Sequence, residues 1–397
     1  MFTRRFTWEL EENAYTQAMA ARRKSGLPVF DLTIANPSQA GFVWSCEELS
    51  QSLVNSENSF YAPEPRGLLE ARKHIAQYYH GHSADVLPEQ IHLTASTSEA
   101  YSWVLKLLTD PGDEVLVPVP SYPLLEFLAA LECVETRSYS LRLKDACWRV
   151  DAQALEAAVS PRTRAILCVS PNNPTGSILS AEDRDILRRV ALRHGLVLIV
   201  DEVFLDYEKN SDDFSATPLS SLAGEDKVPL LALGGLSKLA LLPQMKLAWI
   251  VTAGLESWRE AALKRLDFIA DTYLSVNTVS QNALGIWFGQ SPILRHIVQQ
   301  RLYANEKLLR AWCCGNPHGV RLLEREAGWS AVLELPRGIT EEKFVLYLAK
   351  HAGVFIHPGY FYDMPVAMPP VCVISLISRE QELSQALPLI DEALKHH

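Results

Sequence analysis

Six short, nearly continuous apolar runs recur along this sequence, at 91–95, 114–119, 165–170, 196–200, 230–233 and 247–252. Each is about one strand long and rich in Val, Ile or Leu, without the polar alternation of a half-solvated strand. That pattern fits strands covered on both faces, as in a parallel sheet. Amphipathic stretches lie between the runs. The stretch 99–109 places apolar side chains at 100, 103, 104, 107 and 108. The stretch 181–194 follows Ser180, carries Asp183 three residues on, and stops at Gly195, so both of its ends are signalled. Alternation of this kind predicts an α/β architecture, with a mostly parallel sheet sandwiched by helices in a large domain over 46–290. Beyond Trp287 the texture changes. The spacing predicts a long helix over 293–314, a strand at 330–335, a helix at 340–351, strands at 354–357 and 371–376, and a helix at 380–395. This smaller α+β unit, 291–397, is expected to take residues 1–45 with it as a small domain.

Composition narrows the chemistry. Thirty-seven basic against 47 acidic side chains give a net charge of −10, which argues against nucleic acid or an anionic membrane as partner. No apolar run approaches the ~20 residues of a membrane span. The first ten residues carry Arg4, Arg5, Trp8 and Glu9 with no apolar stretch behind them, so no signal peptide is read. The seven cysteines, at 46, 133, 147, 168, 313, 314 and 372, include no CxxC. A disulfide framework or a metal centre is not expected, and the compartment predicted is the cytoplasm.

In an open α/β sheet, ligands bind beyond the carboxyl ends of the strands. Five polar segments follow predicted strands: 94–100, 118–123, 170–176, 201–207 and 234–238. They make sense together around a phosphorylated aromatic aldehyde held by a lysine. Asp201 ends the run Leu-Val-Leu-Ile-Val; a carboxylate fixed there could keep a pyridine nitrogen protonated and make the ring an electron sink. Lys238 follows a buried strand through Gly234-Gly235-Leu236-Ser237, and a partly desolvated lysine releases its proton readily for Schiff-base chemistry. Ser96-Thr97-Ser98 opens a helix, where backbone N–H groups and hydroxyls can cup a phosphate. In Ser170-Pro171-Asn172-Asn173-Pro174-Thr175-Gly176 two prolines and a glycine stiffen the loop that presents an asparagine. Tyr122 could stack on a flat ring. Singly, each also fits an ordinary helix cap, a snorkelling lysine or a core aromatic.

Taken in order, these pieces make the chain resemble the pyridoxal-5′-phosphate (PLP)-dependent aminotransferases of class I/II, with the fold called type I. The resemblance runs from about residue 28 to the C-terminus. It also includes Phe60-Tyr61-x-Pro63-x-x-x-Gly67-Leu68, Ser98-Glu99-Ala100, Pro120-x-Tyr122-Pro123 and Asp201-Glu202-Val203. It implies that Lys238 forms the Schiff base and shuttles a proton, that Asp201 pairs with the ring nitrogen, and that Asn173 hydrogen-bonds the ring oxygen. Tyr122 would stack on the ring. Ser96, Thr97 and Ser98, with Lys246, would hold the phosphate. Tyr61 would reach the phosphate of a neighbouring subunit in a homodimer with shared sites. The partners implied are a small-molecule amino donor and an oxo-acid acceptor.

Four positions depart from the resemblance. Phe204 replaces a tyrosine that donates to the ring oxygen. Gly235 replaces a serine. Lys246 replaces a phosphate-binding arginine and lacks its fork. Val373 stands where an arginine would clamp the substrate carboxylate. Arg379, six residues on, is expected to be a solvated helix-end residue. The motifs leave other outcomes open: a PLP-dependent lyase, decarboxylase or racemase on the same scaffold, or a catalytically silent binding protein with the same fold. A nucleotide-binding α/β protein is disfavoured because no GxGxxG or P-loop occurs.

Overall fold

The computed structural model describes residues 2, 3, 5, 11–61, 63–209 and 218–396. Of the N-terminal residues named above, Arg4, Trp8 and Glu9 lie outside this set. All six apolar runs form strands of one eight-stranded sheet. Its order is Ile91–Thr94, Ala248–Ala253, Leu230–Gly235, Val197–Asp201, Thr163–Val169, Glu114–Val119, Glu135–Lys144 and Cys147–Val150. The pairings between Leu230–Gly235 and Glu135–Lys144 are parallel, while Ala248–Ala253 runs antiparallel to both of its neighbours. The strand Leu230–Gly235 is buried at every position, which is why it reads as an unbroken apolar run.

Helices cover both faces. Thr97–Leu108 buries Ala100, Tyr101, Trp103, Val104 and Leu105. At Ala181–His194 the capping box is complete: Ser180 Oγ accepts from the Asp183 amide at 3.1 Å, and the Ser180 amide donates to Asp183 Oδ2 at 2.9 Å. Gly195 closes that helix at φ 64°.

The long helix starts earlier than the sequence suggests. It runs over Thr278–Cys314, 37 residues with Pro292 inside, and is capped by Asn277, whose side chain accepts from the Ser280 amide at 2.8 Å. A four-stranded antiparallel sheet follows, in the order Arg321–Leu322, Ser330–Glu334, Val371–Ser375, His357–Pro358. On one face Ala331, Leu333, Cys372 and Ile374 pack with Phe344, Leu348, Leu383 and Ile390. On the other, Val332, Val371 and Val373 join the core that continues under the large sheet. The N-terminal segment ties in through Phe30–Asp31, which pairs in parallel with Val354–Phe355. Among the described residues no helix is long and apolar enough to cross a membrane.

Candidate active site

Strand register assembles the site. Val169 pairs with Asp201 and Asp201 with Leu233, so the segments after three neighbouring parallel strands leave the sheet at one edge. The Ser170 amide donates to Asp201 O at 3.0 Å and the Glu202 amide to Leu233 O at 2.9 Å. Gly235 pairs with Ala248 and Ala248 with Thr94, which brings the start of the Thr97–Leu108 helix to the same edge. A β-carbon on Gly235 would lie 3.0 Å from Ala248 Cβ and 3.5 Å from Thr97 Cγ2. The backbone leading to Lys238 is thus pressed against that helix start.

Ser96 caps the helix, its hydroxyl accepting from the Glu99 amide at 3.1 Å. Glu99 reaches back to the Ala95 amide at 2.6 Å and takes the Ser275 hydroxyl at 2.7 Å. Ser96, Thr97 and Ser98 are half-buried at the first turn of a 12-residue helix, so its positive end faces the site.

In the 170–176 loop, Asn172 is buried and structural. Its side-chain oxygen accepts from the Thr175 hydroxyl at 2.8 Å, and its amide donates to Pro120 O at 3.3 Å. Asn173 is half-exposed between buried neighbours, and its Oδ1 accepts from the Ser330 hydroxyl at 3.2 Å. Gly176 lets this loop dock: it has φ 67°, and a β-carbon there would sit 2.3 Å from Ala327 O.

Asp201 accepts the Tyr101 hydroxyl at 2.7 Å on Oδ2 and the Val203 amide at 3.0 Å on Oδ1. Burial pushes its pKa up, while these two donors pull it down. The Lys238 amine donates to Ala35 O at 2.7 Å. It lies 4.8 Å from the Trp329 ring centre and 5.9 Å from that of Phe204. Burial lowers its pKa to about 8. The Lys238 carbonyl accepts from the Tyr207 hydroxyl at 2.7 Å, so a tyrosine three residues beyond Phe204 braces the lysine's backbone. Tyr122 is 48% exposed; its ring stands edge-on to Phe361 at 6.1 Å, and the Ser121 amide donates to Tyr362 O at 3.0 Å.

The remaining expected residues are more peripheral. Tyr61 is 80% exposed. Lys246 is exposed, in a left-handed turn at φ 51°. Val373 is 1% exposed, in the apolar cluster of Val332, Tyr362 and Met364. Its cross-strand partners are Val332 and His357. His357 stacks on Phe361 at 4.8 Å, and burial lowers its pKa to about 4, leaving it neutral at pH 7. Arg379 is an exposed cap of the Glu380–Leu394 helix, and Arg5 donates to Leu131 O at 3.0 Å. Tyr101 and Trp329 were not signalled by the sequence, since both read as core aromatics.

The donor set suits PLP: a helix start for a phosphate, a neutralisable amine for an aldehyde, and a buried carboxylate for a pyridine nitrogen. When bound, PLP supplies the electron sink for bonds at a substrate amine carbon. The family described as aminotransferase class I and II matches residues 29–380. The glutamate-pyruvate aminotransferase AlaA of Escherichia coli (strain K12) is 30% identical over 293 residues, 73% of this chain and 70% of that one. The tyrosine aminotransferase of Homo sapiens is 30% identical over 242 residues, 60% of this chain; the chain spans about half of that enzyme's length, 52%. The alanine aminotransferase structure from Pyrococcus furiosus superposes with a TM-score of 0.88 at 20% identity, covering 100% of both chains. By this match and this architecture the chain belongs to the class I and II aminotransferases, the PLP-dependent transferases built on fold type I.

Proposed function

We propose that this chain moves an amino group between a small amino donor and an oxo acid at the sheet edge that carries Lys238, Asp201 and Asn173. The observation that carries the reading is Lys238, a half-buried amine whose pKa of about 8 leaves roughly a tenth of it neutral at pH 7. A neutral amine is the form that attacks an aldehyde, and the same nitrogen can afterwards carry a proton to and from a bound substrate. Asp201 would hold a proton at the ring nitrogen. Asn173 would donate to the ring oxygen, its own oxygen being turned to Ser330. Ser96, Thr97 and Ser98 would bind the phosphate, with Lys246 adding charge. Tyr122, with its exposed face, would cover the ring.

The same reading takes the large domain as 46–290 and the small domain as 1–45 with 291–397, and it takes the protein as cytoplasmic. It also takes it as a homodimer in which the exposed Tyr61 reaches a neighbouring phosphate. Val373 and neutral His357 place no fixed positive charge where the resemblance expects a carboxylate clamp. The substrate proposed is therefore one without a carboxylate on the reacting carbon, or one whose carboxylate another cation meets, rather than a common dicarboxylic amino acid. Borohydride treatment of the PLP-loaded protein should fix the cofactor to one peptide, that of Lys238, and a competent donor should convert the cofactor to pyridoxamine phosphate. Label on another lysine would overturn the site. Donor turnover that leaves the cofactor as PLP would overturn transamination.

A further inference from the structure

Tyr101 lies one turn beyond Thr97 on the Thr97–Leu108 helix. Residues four apart share a helix face, so the hydroxyl of Thr97 at the phosphate end and the ring of Tyr101 project on the same side. Tyr101 is buried, at 4% exposure. Its hydroxyl donates to Asp201 Oδ2 at 2.7 Å, while the Val203 amide takes Oδ1 at 3.0 Å. Burial beside Asp201 pushes the Tyr101 pKa well up, so the phenol stays protonated and remains a donor. A carboxylate offers about four lone-pair sites, which leaves room for a third donor.

We propose that Tyr101 is a positioning residue whose hydroxyl aims the Asp201 carboxylate at the ring nitrogen of PLP. One helix then sets two fixed points of the cofactor: its first turn meets the phosphate, and its second turn holds the partner of the ring nitrogen. The proposal rests on the reading of Asp201 as that partner.

The test measures dissociation constants of the apo-protein for PLP and for its 1-deaza analogue, in which the ring nitrogen is replaced by carbon. Cofactor absorbance reports binding, so no turnover is needed. Tyr101→Phe is expected to weaken PLP about tenfold, within the scale of one hydrogen bond to a charged group, and to leave the analogue within about twofold. Equal loss for both ligands would overturn the proposal, since a merely structural role cannot sense the ring nitrogen. Asp201→Asn separates the two ideas. If it too fails to discriminate between the ligands, the reading of Asp201 falls. If it discriminates and Tyr101→Phe does not, only the role of Tyr101 falls. Should Tyr101→Phe fail to fold, 3-fluorotyrosine placed at 101 keeps the shape and makes a stronger donor. It is expected to widen the preference for PLP over the analogue, and an unchanged preference overturns the proposal.

Discussion

Replacing Lys238 by methionine should stabilise the apo-protein, and the gain should depend on pH. The folded chain holds the ammonium in a place that lowers its pKa from 10.5 to about 8 by burial. Below pH 8 the lysine is protonated in both folded and unfolded chains, and the folded state bears the full desolvation cost. Between about pH 8 and 10.5 the folded lysine loses its proton first, and the cost fades. Each pKa unit corresponds to 1.36 kcal/mol. Linkage then gives a burden of about 3 kcal/mol at pH 7, falling to about 1 kcal/mol at pH 10. The first figure is an upper bound, because the half-buried amine keeps some water. Methionine has a similar length and no charge, and packs readily beside Trp329 and Phe204. It forfeits the bond to Ala35 O, worth about 1 kcal/mol and nearly independent of pH while the amine stays a donor. Lys238→Met is therefore expected to gain roughly 2 kcal/mol at pH 7 and essentially nothing at pH 10. Urea unfolding of both PLP-free proteins at several pH values measures this directly, since every other group titrates alike in the two. A difference that is flat with pH, or that grows towards pH 10, would refute the idea that burial of this amine stores strain for chemistry.

Phe204→Tyr, beside Lys238 and Trp329, is expected to lower the pKa of the bound cofactor's absorbance transition by about one unit, as a new donor favours the ring phenolate; a spectral pH titration checks it, and a rise would show that this position does not face the ring oxygen. Aspartate and glutamate are expected to react slowly in single-turnover assays, because Val373 and the His357 beside it, neutral at pH 7, offer a substrate carboxylate no positive charge. Fast half-reactions in the unmodified protein would show that another group clamps the carboxylate. Gly176→Ala should cost roughly 2–3 kcal/mol in denaturant unfolding, because its β-carbon would meet Ala327 O at 2.3 Å in a left-handed backbone.

The sequence carries the large sheet because buried strands leave an unmistakable apolar trace. It hides the hairpin of Glu135–Lys144 and Cys147–Val150 at the sheet's edge, where six of the ten residues of the first strand are exposed and the second strand is only half buried. There Glu, Arg and Lys are tolerated, and the pattern reads as a loop. Pro292 misplaces the start of the long helix, because a proline ordinarily marks a first turn. In the site, Lys238, Asp201 and Asn173 are legible because polar residues stand directly after apolar strands. Tyr101 is not, since its polar tip meets Asp201 across 100 residues of chain while its ring fills an ordinary core position. Trp329 is hidden for the same reason: only the folded register brings residues 328–330 against the 170–176 loop and Lys238.

The bond from Lys238 to Ala35 O also sets an order on biosynthesis. Ala35 is placed by the strand before it, and that strand, Phe30–Asp31, pairs with Val354–Phe355, while Leu32 O accepts from the Ser375 amide at 2.7 Å. On the ribosome residue 35 is made more than 300 residues before residue 354, yet it cannot dock until residues near 354 and 375 have left the exit tunnel. Lys238, Asp201 and the helix start at residues 96–98 are all translated long before that moment. The amine therefore stays untethered on its N-terminal side until those later residues emerge, and a chain cut short before residue 354 would carry Lys238 and Asp201 without the docked backbone carbonyl that holds the lysine.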